Sequence, residues 1–172
     1  FLRDMRDQTS LEKTIERFNP TERPATTIIE ATNHGVNPEI SVQADFVVID
    51  GETEMRRENI SIADLDHLTA PYPLATRAGQ FIFTTPLAGV DAKTGLLARS
   101  FDDLTAEELE LLEPPYSKPE EMSAAQHVMV FRHIRRILES QGAPLGSHIH
   151  QNCWLRIPMQ EWGPSAKVRR QL

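Results

Sequence analysis

Val128, Phe131, Ile134 and Leu138 recur at helical spacing within the twenty residues from Ser123 to Gly142. This pattern predicts one long helix with a single apolar face. Ser123 is its expected cap, with Gln126 at the box position, and Gly142 its expected left-handed terminator. Arg132, Arg135 and Arg136 are left for the wet face. A helix of this length must bury its stripe against something broad. The chain offers β-branched and apolar runs for that purpose: Thr26 to Ala31, Ile40 to Asp50, Phe81 to Thr85 and His148 to Ile157. Long helix plus short strands predicts an α+β fold with helices on a mixed, mostly antiparallel sheet.

Other punctuation fills in the order of elements. Thr9 and Glu12 have capping-box spacing ahead of Leu11, Ile15 and Phe18, and Asn19-Pro20 ends that helix. His34-Gly35-Val36-Asn37-Pro38 reads as a hairpin loop, and Asp91-Ala92-Lys93-Thr94-Gly95 as a turn. Thr105 to Glu108 repeats the capping box at the start of an acidic helix, and Ser165 to Leu172 is a further helix. Residues 51–69 are mostly polar and read as a linker, with a short helix at Ile62–Leu68. The expected division is therefore 1–50, a 51–69 linker, and 70–172.

Charge narrows the function classes. Lys and Arg total 18 against 25 Asp and Glu, for a net charge of −7. That balance argues against nucleic acid as a partner. One cysteine, Cys153, excludes an internal disulfide and a cysteine-based zinc site. No apolar run reaches membrane-span length, so no membrane partner is expected. Arg3, Asp4, Arg6 and Asp7 interrupt any secretory signal pattern at the start. A cytoplasmic location is the corresponding expectation. His148 and His150 share one face of an expected strand, but no third ligand is apparent, so no metal is assigned. Cys153 beside Trp154 reads as packing, and Arg169-Arg170 as a solvated helix face.

Phe1-Leu2-Arg3 and Trp154-Leu155-Arg156 echo each other at an offset of 153 residues. In both places a strand leads through a polar turn into a helix. The echo, and the apparent cuts through structure at both ends, predict a piece of a two-lobe tandem protein.

Pro71-Tyr72-Pro73-Leu74-Ala75-Thr76-Arg77-Ala78-Gly79-Gln80-Phe81-Ile82-Phe83, the Asp91 to Gly95 turn and the Ile134 to Gly142 helix end resemble, in that order, the opening, the next turn and a helix end of the Rid family of reactive-intermediate deaminases. Phe1 to Met5 and Asn19 to Ile49 resemble its later segments. The order is rotated: residues 1–50 look like the C-terminal half of one lobe, and 70–172 like the N-terminal part of a second. The two parts could also close as one permuted lobe.

The resemblance implies a chorismate-mutase-like fold and a homotrimer with clefts at its interfaces. It implies a small carboxylate-bearing metabolite as ligand, and hydrolysis of an enamine or imine to ammonia and a 2-oxo acid without any cofactor. Ala25 stands where the family's carboxylate-binding arginine is expected, with Arg23 two residues earlier. Gln43 stands in place of an acidic residue, and Thr84-Thr85-Pro86 in place of Ser-Gly-Gln. Under this resemblance Arg23 and Thr27 bind the substrate. Tyr72 and Thr84 orient substrate and water, and Gln43 positions the water. Two other readings stay open: a non-catalytic binding or scaffold lobe, and a different hydrolysis in the same cleft, acting on a chorismate-like acid.

Overall fold

The structure, a computed structural model, describes residues 1–30, 42–50, 54–112, 115–148, 150–152 and 162–171. It is mixed α and β, as expected. The chain forms two compact units. The first comprises 1–61 with 69–86, and the second 62–68 with 87–172.

The first unit holds α1 (Gln8–Phe18) and an antiparallel sheet ordered β1 (Arg57–Ile60), β2 (Ala75–Ala78), β3 (Phe81–Thr84). β2 and β3 are joined by Gly79-Gln80, where Gly79 takes a φ of 57°. A positive φ at the first turn residue is what a tight hairpin of this length demands, and glycine adopts it without strain. β1 lies inside the expected linker. Arg57, Glu58 and Asn59 keep polar side chains on a strand that buries only Ile60. A strand with one buried residue carries no alternation for sequence reading to find.

The β-branched run from Thr26 to Ala31 does not form a strand over its described residues. At its start the backbone is held by side chains: Thr26 N–H donates to Thr85 Oγ1 at 3.3 Å, and the preceding Ala25 N–H to Thr76 Oγ1 at 2.9 Å. Only isolated bridges remain, with Leu2 beside Glu30 and Val42. Described residues 42–50 otherwise form no strand, and the expected loop at 34–38 lies outside the described residues. α1 also starts differently. Asp4 accepts from Arg6 N–H at 2.9 Å and opens a 3-10 turn that feeds the helix at Gln8, leaving Thr9 inside it.

In the second unit the long helix α3 runs Lys118–Ser140, beginning five residues before the expected cap. Glu120 accepts from Ser117 N–H at 2.6 Å, and a proline early in the first turn lacks only a donor that would have had no intrahelical partner. Ser123 is buried within the helix. The far end matches expectation. Gly142 has a φ of 71°, Gly142 N–H donates to Glu139 O at 3.0 Å, and Ala143 N–H to Leu138 O at 2.9 Å. This double bond closes the last turn. α2 (Ala106–Glu110) carries the expected Thr105–Glu108 box. Asp91 Oδ1 organises its turn by accepting from Thr94 N–H at 2.8 Å and Lys93 N–H at 3.1 Å.

α4 spans Trp162–Gln171. Val168 joins Ala124, Ala125, Val128, Met129, Leu104 and Leu112 in the core, with Phe101 and Tyr116 packed edge to face beside it. The expected strand from His148 to Ile157 is absent at 148 and 150–152, and the rest of it lies outside the described residues. Among the described residues no helix is long and apolar enough to cross a membrane.

Candidate functional site

The first unit builds a small polar cluster around Tyr72. Residues ahead of β2 are held by their own turn. Tyr72 N–H donates to Thr69 O at 3.0 Å, Thr69 Oγ1 donates to Tyr72 O at 3.1 Å, and the Ala70–Pro71 peptide is cis. Thr85 Oγ1 donates to Pro73 O at 2.6 Å. The segment carrying Arg23 is strapped across one face of the sheet. Besides the Thr76 and Thr85 bonds, Asn59 Nδ2 donates to Arg23 O at 3.3 Å and Arg57 to Glu22 O at 3.0 Å. These anchors come from β1, β2 and the residue after β3, so the strap is fixed on three sides.

The strap sets the Arg23 guanidinium over the Tyr72 ring, 5.6 Å from its centroid. That is within the range of cation–π attraction. Glu16 of α1 faces the same guanidinium at 3.6 Å. This ion pair is longer than a hydrogen bond, and the Arg23 side chain donates none. The side chain is 22% exposed, so its planar donor fork is partly desolvated yet uncommitted. The Tyr72 hydroxyl is fully buried and has no hydrogen-bond partner. Burial raises the phenol above its ordinary pKa, the Glu12 carboxylate adds to the rise, and Arg23 works against it. The phenol therefore stays protonated and is a donor.

The sequence-predicted residues separate. Tyr72 and Arg23 meet. Thr27 lies on the strap beyond Ala25, half-buried. Thr84 pairs with Ala75, and strand alternation puts it on the face opposite Thr76 and the strap, where it is exposed. The hydroxyl that faces the strap is Thr85, one residue on. Gln43 is exposed and tied to Phe1: its N–H donates to Phe1 O at 3.1 Å, and its carbonyl accepts from the terminal amine at 2.9 Å. Sequence reasoning missed Glu12 and Glu16, although their i, i+4 spacing on α1 places them on one face. Thr76 was also missed, since a threonine in a strand looks like any β-branched residue.

Among the described residues no cluster of histidine, cysteine and carboxylate groups could hold a metal. In the second unit His148 packs its ring edge to face with Phe131, centroids 6.4 Å apart, and Cys153 lies outside the described residues. The chain matches no family model, no curated protein and no solved structure.

Proposed function

We propose that the Arg23–Tyr72 cluster of the first unit binds a small carboxylate-bearing metabolite. One observation carries this: a half-buried guanidinium that donates no hydrogen bond lies against a buried phenol that has no acceptor. A carboxylate supplies what both lack. Its two oxygens accept from the Arg23 fork, and one accepts from Tyr72 as well. Because the hydroxyl is closed off from solvent, entry requires the long Arg23–Glu16 pair to open. The ligand carboxylate then takes the place of Glu16 beside Arg23.

The same reading takes the chain as Rid-like, with a trimer as its expected assembly. Within that resemblance the binding role is better supported than imine hydrolysis. Hydrolysis needs a group that delivers water to the imine carbon. Thr84 lies on the other face of the sheet and Gln43 is tied to Phe1.

Calorimetric titration with 2-oxobutyrate, and with butyramide as the uncharged control, tests the proposal. The acid binds and the amide does not. A hydrogen bond to a charged group contributes about 1.5–3 kcal/mol, so Arg23→Ala weakens binding roughly 10- to 150-fold. A folded Arg23→Ala chain that binds the acid as well as the parent overturns the reading. Release of ammonia from freshly generated 2-iminobutyrate, lost in Arg23→Ala, adds catalysis to the binding role.

A further inference from the structure

Phe46, Val47 and Val48 are 82, 76 and 82% exposed, three large apolar residues in a row on an acidic chain. Among the described residues Phe46 to Ile49 make no hydrogen bond and no ring contact. Drawn into a strand, the run would set Phe46 and Val48 to one side and Val47 and Ile49 to the other. A β-branched run apolar on both faces is the composition of a strand covered on both sides. The same unit offers the other half of such a pairing. β3 pairs with β2 on one side, and among the described residues no strand pairs with its other side. Phe81 and Phe83 project together from β3, ring centroids 6.4 Å apart and both exposed, while Ile82 faces the opposite way.

We infer that the 46–49 segment adds as a strand to the β3 edge of a second copy of this chain. The two patterns match face for face. Phe46 and Val48 lie beside Phe81 and Phe83, and Val47 and Ile49 beside Ile82. Main-chain bonds supply the attraction and the alternating side chains the specificity. Phe46, Val47, Val48, Phe81 and Phe83 are all exposed, so the contact takes five large apolar side chains per copy out of water. The 46–49 segment and the β3 edge are not paired within the chain among the described residues, and exchange between copies satisfies both. The exchange closes as a two-fold pair or around a ring of three, and the contact is the same in each. It is independent of whether the Arg23–Tyr72 cluster binds a carboxylate.

Two single-cysteine chains of different tagged mass, Val47→Cys and Ile82→Cys, each also Cys153→Ser, are mixed and treated with a short bismaleimide. Such a linker tolerates a register step. The mixed pair is expected to cross-link in preference to either homopair. Amide exchange at 46–49 and 81–84 is expected to slow as protein concentration rises, and Phe46→Asp to abolish that dependence with the circular dichroism unchanged. A chain that stays monomeric at high concentration overturns the inference. So does cross-linking no better in the mixed pair than in the homopairs, or protection of 46–49 that is already complete in the monomer.

Discussion

Gly89 is the position where a single methyl group should do the most damage. It is buried in the second unit, where Ala98 N–H donates to its carbonyl at 2.8 Å and Gln126 Nε2 holds Ala98 O at 3.0 Å. A Cβ built there meets Gln126 Cα at 2.5 Å, Gln126 Cβ at 2.5 Å and Gln126 O at 2.6 Å. Two of the three are backbone atoms of α3, so no side chain can turn away. Ordinary contact needs the loop and α3 to part by about 1 Å, against a core packed at crystal-like density. Overpacking of this kind costs about 1–3 kcal/mol, and the rigid backbone puts Gly89→Ala at the upper end. For a chain of this size, about 3 kcal/mol lowers Tm by roughly 6–12 °C. Gly146→Ala is the control: its Cβ meets nothing within 4 Å and its φ is not positive. That change is expected to be neutral, or stabilising by a few tenths of a kcal/mol through the unfolded chain. Thermal melts of parent and both variants decide the matter. If Gly89→Ala melts within a degree or two of Gly146→Ala, the close approach of this loop to α3 is wrong.

Glu108 accepts from Arg132 Nε at 2.6 Å and caps α2 through Thr105 N–H at 2.8 Å. Burial alone would raise its pKa, but Arg132 and the Thr105 donors more than offset that, and the net shift is downward. Glu108→Ala removes the cap and leaves Arg132 without its partner, so urea unfolding should show a loss of about 2–3 kcal/mol; a loss under 0.5 kcal/mol contradicts the pairing. His133 is fully buried on α3, its Nε2 2.7 Å from Val90 O and its Nδ1 without a partner. Burial lowers its pKa, which the Val90 carbonyl only partly counters, so the folded chain holds it neutral while the unfolded chain takes up a proton below about pH 6.5. Its contribution to stability is complete above that pH and falls as the pH drops below it. Urea midpoints from pH 7.5 to 5 should decline. They should decline less in His133→Leu, with His127 supplying a residual slope because burial lowers its pKa too; an unchanged slope in His133→Leu refutes the assignment. Tyr72→Phe should act in opposite directions on two readouts. Deleting a buried hydroxyl that has no acceptor stabilises the free chain by up to about 1 kcal/mol, while binding of 2-oxobutyrate weakens several-fold. A destabilised Tyr72→Phe chain would mean that the hydroxyl already has a partner.

Local signals were legible where the chain answers them locally. The Thr105 box, the Asp91 turn and the Gly142 terminator each depend on residues within five positions of one another, and all form. The start of α3 was not legible. Ser117 and Glu120 have box spacing, but Pro119 between them reads as a breaker, although a proline in the first turn is tolerated. The strand expected at Thr26 to Ala31 failed for a non-local reason. Its propensity is real, but the chain entering it is tied by hydroxyls fifty-one and fifty-nine positions away, Thr76 holding Ala25 N–H and Thr85 holding Thr26 N–H. Thr84 and Thr85 are one residue apart, and in a strand one residue is the whole difference between the two faces: Thr85 faces the strap and Thr84 does not. Tyr72 and Arg23 stood out separately as residues. Their meeting depends on the strap, which no periodicity reveals.

Unmet needs occur in both units and differ in kind. In the second, helix ends are capped, Glu108 and Arg132 are paired, and a continuous apolar core joins α3 to α4, but His133 Nδ1 and Gln151 Oε1 are buried without partners and Leu96 and Leu97 are exposed. In the first, a buried phenol has no acceptor, a guanidinium fork donates nothing, and three apolar residues stand in water. Sequences that specify one structure satisfy their parts at every level, and departures concentrate where something else must bind. The departures here are of two chemical kinds. Donors without acceptors are what the proposed carboxylate would answer. The exposed apolar run at 46–48 is what the proposed second copy would cover. Both proposals fall on the first unit, and each is tested there.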